Sequence, residues 1–359
     1  ETLAWTSVNK WGEAYRTWIL PPPGDTARHA KVLVTGAAKR AQMPWGLVNN
    51  WSLTHCRSLP MKTTLRFRML LISASLGIGV ALAQTPAFPS RAINLVVPNP
   101  PGGLVDTSAR LVAEPLARLI GQSVVVDNKP GASGNLAYQT VARSAKDGHT
   151  LLISYSGYHV ANHILMDKVG WELRDLTPVG LITVATNVIA VHPSLPVNNL
   201  KEFIAYLKAN PGKVNYASQG NGSVSHIGNE IFKQQTGTEM VHVPYKGSGQ
   251  AIQYVLSGQV QVFITTPPSV MGHVLAGKLK ALAVTGKIRH PQMPQVPTIA
   301  EAGLPGFLLE SWVALYAASG TPPAVVQKLA AEVKRSMELP ETRQRADQAG
   351  IEVRYLSPT

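Results

Sequence analysis

The chain has 359 residues, a formal charge of +13 and a single cysteine. That length suits two domains of ordinary size. The charge is uneven: residues 1–83 hold ten Lys and Arg against three acids, and the other 23 basic and 17 acidic residues are interspersed. Such a mild, scattered surplus excludes the long basic runs of a nucleic-acid footprint. Cys56 is the one thiol, so disulfides, thiolate metal sites and a cysteine nucleophile are excluded beyond it.

Met61 opens a stretch of secretory design. Lys62, Arg66 and Arg68 form a positive region, Met69 to Leu82 are apolar or small, and Ala81-Leu82-Ala83 offers a cleavage site. The apolar part is short for a membrane span. The pattern predicts export with cleavage after Ala83. Residues 1–60 hold five of the seven tryptophans and no sustained period, and they read as a mis-assigned leader with little structure ahead of a true start at Met61.

The mature chain begins with the stretch on which the fold turns, Ile93 to Asp106. Ile93 to Val97 reads as a short buried strand that stops at Pro98, Pro100 and Pro101, each lacking an N–H. Gly102 and Gly103 turn the chain into a helix expected from about Thr107, with Val112, Leu116, Leu119 and Ile120 on one face, Pro115 as a kink or restart and Gly121 as the stop. A strand, a glycine turn and a helix N-terminus aim free amides and a positive dipole end at one point, which favours an anion. Ser123 to Val126 is a second strand, Asp127 to Asn135 a loop before a short helix, and Thr150 to Ser154 a third strand. Tyr155 to His159 reads as a polar loop at that strand's C-terminal end, where ligands collect in open α/β sheets. His159 and His163 could share a helix face, but no carboxylate lies between them as in zinc hydrolases.

Asn187 to Val191 is the next buried strand. Asn199 with Glu202 three residues later forms a capping box for a helix through Leu207, and Val214 to Ala217 is again a strand. Ser218 to His226 then brings two glycines and three serines to a helix N-terminus, a second place where N–H and O–H donors converge on an anion. Its Gly-x-Gly-x-x-Ser pattern lacks the third glycine and the distal acid of a dinucleotide fingerprint, which argues against NAD. Val241 to Val243, Val260 to Thr265, Leu282 to Thr285 and Trp312 to Ala317 complete the strands. Thr321 is expected to cap a last long helix with Pro322 in its first turn. Strands alternating with helices predict α/β architecture with largely parallel sheets. No Gly-x-Ser-x-Gly elbow occurs. A serine esterase using Ser223 or Ser225 with His226 is the alternative from another functional class.

Several segments together resemble one family, the extracytoplasmic solute receptors of tripartite tricarboxylate transporters, also called Bug receptors. They are Val97 to Asp106, Asp127 to Asn135, Tyr216 to His226, Val241 to Gly247, Gly277 to Thr285 and Val296 to Gly306. The resemblance implies the type II-like periplasmic binding protein fold, with two lobes of helix-flanked sheets and a ligand cleft between them. Lobe 1 would be residues 84–191 with 312–359, and lobe 2 residues 192–311. It implies a periplasmic receptor, monomeric and without cofactor, metal, nucleic acid or catalysis, that passes a small organic carboxylate to membrane permease subunits or a sensor kinase. Gly103, Leu104 and Asp106 would engage one carboxylate with Ser156 and His159 nearby. Ser218, Gly222, Ser223 and Ser225, with His226, would hold the other. Where relatives carry Asp-Asn facing the cleft this chain has Thr265 and Thr266, which points away from an amino acid. Relatives also continue past the position of Thr359 into a further helix, whose loss would expose apolar surface.

Overall fold

The computed structural model describes residues 88–358; the leader read into residues 1–60 and the signal peptide read into residues 61–83 lie outside them. In chain order the first elements are β1 (Ile93–Val97), α1 (Leu104–Ile120), β2 (Val124–Asn128), α2 (Asn135–Ala142), β3 (Thr150–Tyr155) and α3 (Ser156–Leu165). A long β4 (Leu176–Thr186) runs almost directly into β5 (Val188–Val191). Then come α4 (Leu200–Ala209), β6 (Asn215–Ser218), α5 (Val224–Thr236), β7 (Val241–Pro244), α6 (Ser248–Leu256), β8 (Val262–Thr265), α7 (Pro267–Leu275) and β9 (Lys280–Val284). Last are β10 (Glu310–Ala318), α8 (Pro323–Glu338), α9 (Pro340–Gln348) and β11 (Glu352–Leu356).

Two sheets define two lobes, a six-stranded one in the order β11-β4-β10-β3-β1-β2 and a five-stranded one in the order β7-β6-β8-β5-β9. The α/β class holds, but the sheets are mixed rather than largely parallel. β1 pairs in parallel with β2 and β3, and β6 with β7 and β8, whereas β10, β11 and β5 make antiparallel pairings. The cause is topological: β4 leaves the first sheet in the direction of β1 and β3, while β10 returns from the second lobe in the opposite direction and β11 follows it.

β1 forms because four apolar residues, three of them β-branched, are flanked by breakers, and these residues, Ile93, Leu95, Val96 and Val97, are fully buried. α1 begins at Leu104, three residues ahead of expectation, because Gly103 already serves as its N-cap; Gly121 closes it in the left-handed conformation with φ 70°. Pro115 lies within α1 and does not restart it. Burial of Leu111, Val112 and Leu116 around that proline outweighs the one missing ladder bond. Asn199 caps α4 as expected, its Oδ1 accepting from the Glu202 N–H at 2.9 Å, while Glu202 Oε2 reaches back to the Asn198 N–H. Thr321 does not cap α8. Its hydroxyl donates to the Ala318 carbonyl at 2.8 Å, and Pro322 takes the N-cap position. α8 and α9 both pack on α1, and β11 pairs with β4, so these elements complete the first lobe.

The passage between the sheets falls at Asn187, between β4 of the first sheet and β5 of the second. Asn187 is buried and tied to both crossing segments. Its N–H donates to Thr285 Oγ1 at 2.8 Å, and its side-chain amide donates to the Leu309 carbonyl at 3.0 Å. Thr285 Oγ1 in turn donates to the Leu309 carbonyl at 2.6 Å. In the second lobe Phe203 and Phe232 stack beneath α4 and α5 on one face of the sheet, and Ala251, Val255, Val270 and Met271 of α6 and α7 cover the other.

Candidate functional site

The turn after β1 brings the first glycine loop to the edge of lobe 1. Asp106, in the first turn of α1, is buried and fully engaged within its own lobe. Oδ2 accepts from the Gly102 N–H and Arg110 Nε, each at 3.1 Å, and Oδ1 accepts from Arg110 Nη2 at 3.1 Å and Asn128 Nδ2 at 3.0 Å. Its carboxylate thus shapes the loop, and Arg110 neutralises its charge. Gly103 faces the second lobe so closely that a Cβ there would lie 2.7 Å from Ser248 Oγ at the start of α6. Gly247, with φ +93°, likewise abuts the Pro100 ring. The N-termini of α1 and α6 therefore meet across the interlobe face.

A second meeting point lies beside it. Tyr155 to His159 is not a loop: Tyr155 caps α3, which starts at Ser156. A Cβ on Gly157 would lie 2.7 Å from the backbone nitrogen of Val224, so the first turn of α3 rests on the first turn of α5. The Tyr155 hydroxyl accepts from the Val224 N–H at 3.1 Å and donates to Gln219 Oε1 at 3.0 Å. Tyr158 donates to the Gln219 carbonyl at 3.0 Å. Gln219 Nε2 donates to Ser248 Oγ at 2.9 Å and Thr265 Oγ1 at 3.1 Å. Gln219 is thus the centre of the interlobe contact, and neither it nor Tyr155, Tyr158 or Ser248 was singled out from the sequence. A lone glutamine in a loop has no spacing signal; its importance comes from the opposing lobe.

Of the residues read as site candidates, Gly103, Leu104, Ser156, Gly222, Ser223, Thr265 and Thr266 fall at these helix starts and strand ends. Ser156 Oγ accepts from the Trp312 N–H at 3.2 Å. Ser223 caps α5, accepting from the His226 N–H and donating to the Gly220 carbonyl at 2.7 Å. Ser225 Oγ and Thr266 Oγ1 are buried without a hydrogen-bond partner among the described residues. His159 turns away from the interlobe face into an aromatic cluster of Tyr138, Trp171, Trp312 and Tyr316, stacking on Tyr316 at 4.9 Å. Burial there pushes its imidazole down to about 3. His163 is exposed against Trp171, and among the described residues no three His, Cys, Asp or Glu side chains converge as a metal site.

Ser218 and His226 belong to a stack behind the second glycine loop. The His226 ring lies on His242 at 4.2 Å, and His242 lies on Tyr216 at 4.8 Å. His242 Nε2 is 2.6 Å from Ser218 Oγ, and His226 Nδ1 accepts from the Gly222 N–H at 3.3 Å. Neither Ser223 nor Ser225 meets an imidazole nitrogen, so the esterase pairing is not formed.

The arrangement brings five helix N-termini together, those of α1 and α3 from one lobe and of α5, α6 and α7 from the other. Their hydroxyl and amide donors are neutral, and the one acid among them is paired. This is an arrangement of donors from two lobes suited to a small anion. The chain belongs to the tripartite tricarboxylate transporter family of receptors, whose model matches residues 108–358. Protein BugT of Bordetella pertussis is 37% identical over 75% of this chain and 85% of its own. A Pseudomonas protein from the tcbD–tcbE intergenic region is 38% identical over 76% of this chain and 84% of its own. Among solved structures, a Rhodopseudomonas palustris protein with adipate is 36% identical with TM-score 0.73, covering 76% of this chain and 91% of its own. MatC from the same organism, with bound malate, is 35% identical with TM-score 0.70, covering 74% and 91%. The family is one of periplasmic solute receptors, and among the described residues no helix is long and apolar enough to cross a membrane.

Proposed function

We propose that this receptor captures a small organic carboxylate between its two glycine loops, in the periplasm after removal of a signal peptide, and delivers it to permease subunits or a sensor without chemical change. The observation that carries the reading is the convergence of helix N-termini and neutral donors from both lobes on Gln219. Closely similar receptors solved with adipate and with malate support the same ligand class. The carboxylate is held by backbone amides at Gly103 and Leu104 on one side, and by the unpartnered hydroxyls of Ser225 and Thr266 on the other, with Gly222 and Ser223 shaping the loop between them. Asp106 positions the first loop. An ammonium group finds no free acid at this face, because Asp106 is paired and positions 265 and 266 are threonine, so amino acids bind weakly or not at all.

Thermal unfolding of the purified protein against dicarboxylates, tricarboxylates, aromatic acids and amino acids tests this. A ligand at about 100 times its dissociation constant adds about 2.7 kcal/mol of stability, a clear rise in midpoint. A rise confined to carboxylates without an amino group is expected. A rise with amino acids alone, or with neutral sugars alone, would overturn the assignment.

A further inference from the structure

The second glycine loop faces two ways. Toward lobe 1 it supplies the Gln219 carbonyl and side chain, the Val224 N–H and the close contact of Gly222 with Asn162. Toward its own lobe it is gripped by two stacked imidazoles. His226 Nδ1 accepts from the Gly222 N–H at 3.3 Å. His242 Nε2 meets Ser218 Oγ at 2.6 Å, and that oxygen also accepts from the Gly220 N–H at 3.1 Å. Both rings thus reach the loop on either side of Gly220, from α5 and from β7.

We infer that His226 and His242 are positioning residues for solute binding: as a neutral stacked pair they hold Ser218 to Val224 in the conformation that meets lobe 1, and protonation releases that grip. The assignment rests on the solute-receptor reading for its consequence, though not for its geometry. An imidazole nitrogen that accepts a hydrogen bond cannot carry a proton. Protonated His226 therefore presents N–H to N–H at Gly222, and the loop loses its fastening. Two charged rings 4.2 Å apart also repel each other, so the pair cannot both charge while stacked. The groups facing the pair are Tyr216 from β6 and Glu230 and Lys233 from α5. Glu230 accepts from the Tyr216 hydroxyl at 2.5 Å and from Lys233 at 2.9 Å, so its charge is largely spent on those partners. Burial holds His226 below its ordinary range, with Glu230 opposing and Lys233 assisting, and burial with the His226 charge pushes His242 down to about 4, so the neutral pair is the state at neutral pH.

The test follows the loop directly, without a solute. In the full-length protein, the Gly222 amide is followed by NMR together with the His226 ring as pH is lowered below the ordinary imidazole range. Both signals should move with one midpoint, and hydrogen-exchange protection of residues 218–224, corrected for intrinsic rate, should fall by about tenfold across it. The double variant His226→Asn/His242→Gln keeps a polar amide near each ring nitrogen that meets the loop and cannot titrate, so its loop protection should stay level over the same range. A Gly222 amide blind to the His226 titration, or equal loss of protection in the double variant, would overturn the inference. Titration with adipate and with malate then reads the consequence: affinity falls with the same midpoint in the parent and not in the variant. If neither acid binds while the loop still titrates with His226, the ligand class is wrong and the histidine grip stands.

Discussion

At the scale of single residues, several glycines sit where an added side chain would meet a neighbouring element. Gly157 has ordinary helical geometry, so alanine there raises helix propensity by up to about 1 kcal/mol. Its Cβ would nevertheless stand 2.7 Å from the Val224 nitrogen and 2.8 Å from the Gly222 carbonyl of the other lobe. Backbone cannot give way as a flexible side chain can. Gly157→Ala should therefore weaken solute binding by about tenfold or more, because the two lobes must move apart at that contact to admit the methyl group. Calorimetric titration with the best carboxylate of the panel reads the loss. A different strain sits at residues 131–134, where Ala132 and Ser133 hold φ of 46° and 52° between two left-handed glycines. Ala132 is exposed and packs against nothing that its methyl group is needed for. Ala132→Gly relieves a left-handed alanine at the expense of a floppier unfolded chain, and should stabilise the protein by about 0.5–1 kcal/mol in urea unfolding.

At the scale of elements, α3 carries a histidine whose acid response can be worked out in sign. His159 titrates near 6.5 when unfolded. In the fold, burial with a minor contribution from His163 pushes it to about 3. The unfolded chain therefore binds more protons between those values, and stability is full above about pH 6.5. It falls by about 1.4 kcal/mol per pH unit as pH drops toward 3. Phenylalanine keeps the stack on Tyr316 and removes the proton. His159→Phe should match the parent near neutrality and gain on it steadily as pH falls, and urea midpoints at a series of pH values check this. The same element shows what the sequence makes legible. β1, the end of α1 and the start of α4 were evident because breakers, glycine stops and an asparagine cap act locally. The start of α3 was read as a loop because Ser-Gly-Tyr-His resembles a turn, and only packing on α5 makes it helical. β4 was not anticipated, and Pro178 and Gly180 interrupt its run of apolar residues. Pro178 is accommodated where the β4–β10 register shifts, and Gly180 gives room for the Tyr355 ring of β11. The two glycine loops were evident from local chemistry. Gln219 and His242 were not, since each acquires its partner from a distant part of the chain.

At the scale of the whole molecule, opening and closing must bend the two crossing segments at one place, and the buried network of Asn187, Thr285 and Leu309 occupies it. Thr285 Oγ1 accepts from the Asn187 N–H at 2.8 Å and donates to the Leu309 carbonyl at 2.6 Å, while the Thr285 N–H donates to the Asn187 carbonyl at 2.8 Å. The hydroxyl thus joins both crossings, β4 to β5 on one side and the entry to β10 on the other. Thr285→Val preserves the shape and the backbone bond but removes the oxygen. The Leu309 carbonyl still accepts from Asn187 Nδ2, so the orphan is the buried Asn187 N–H. Leaving that donor unpaired costs about 1–3 kcal/mol. The loss should appear in the urea unfolding midpoint without change of slope, since the surface exposed on unfolding stays the same. Solute affinity should weaken less than in Gly157→Ala, because the cleft contacts are untouched and only the hinge between them is loosened. An affinity loss larger than that of Gly157→Ala, at unchanged stability, would show instead that the crossing network sets the closed geometry and that the cleft contacts merely follow it.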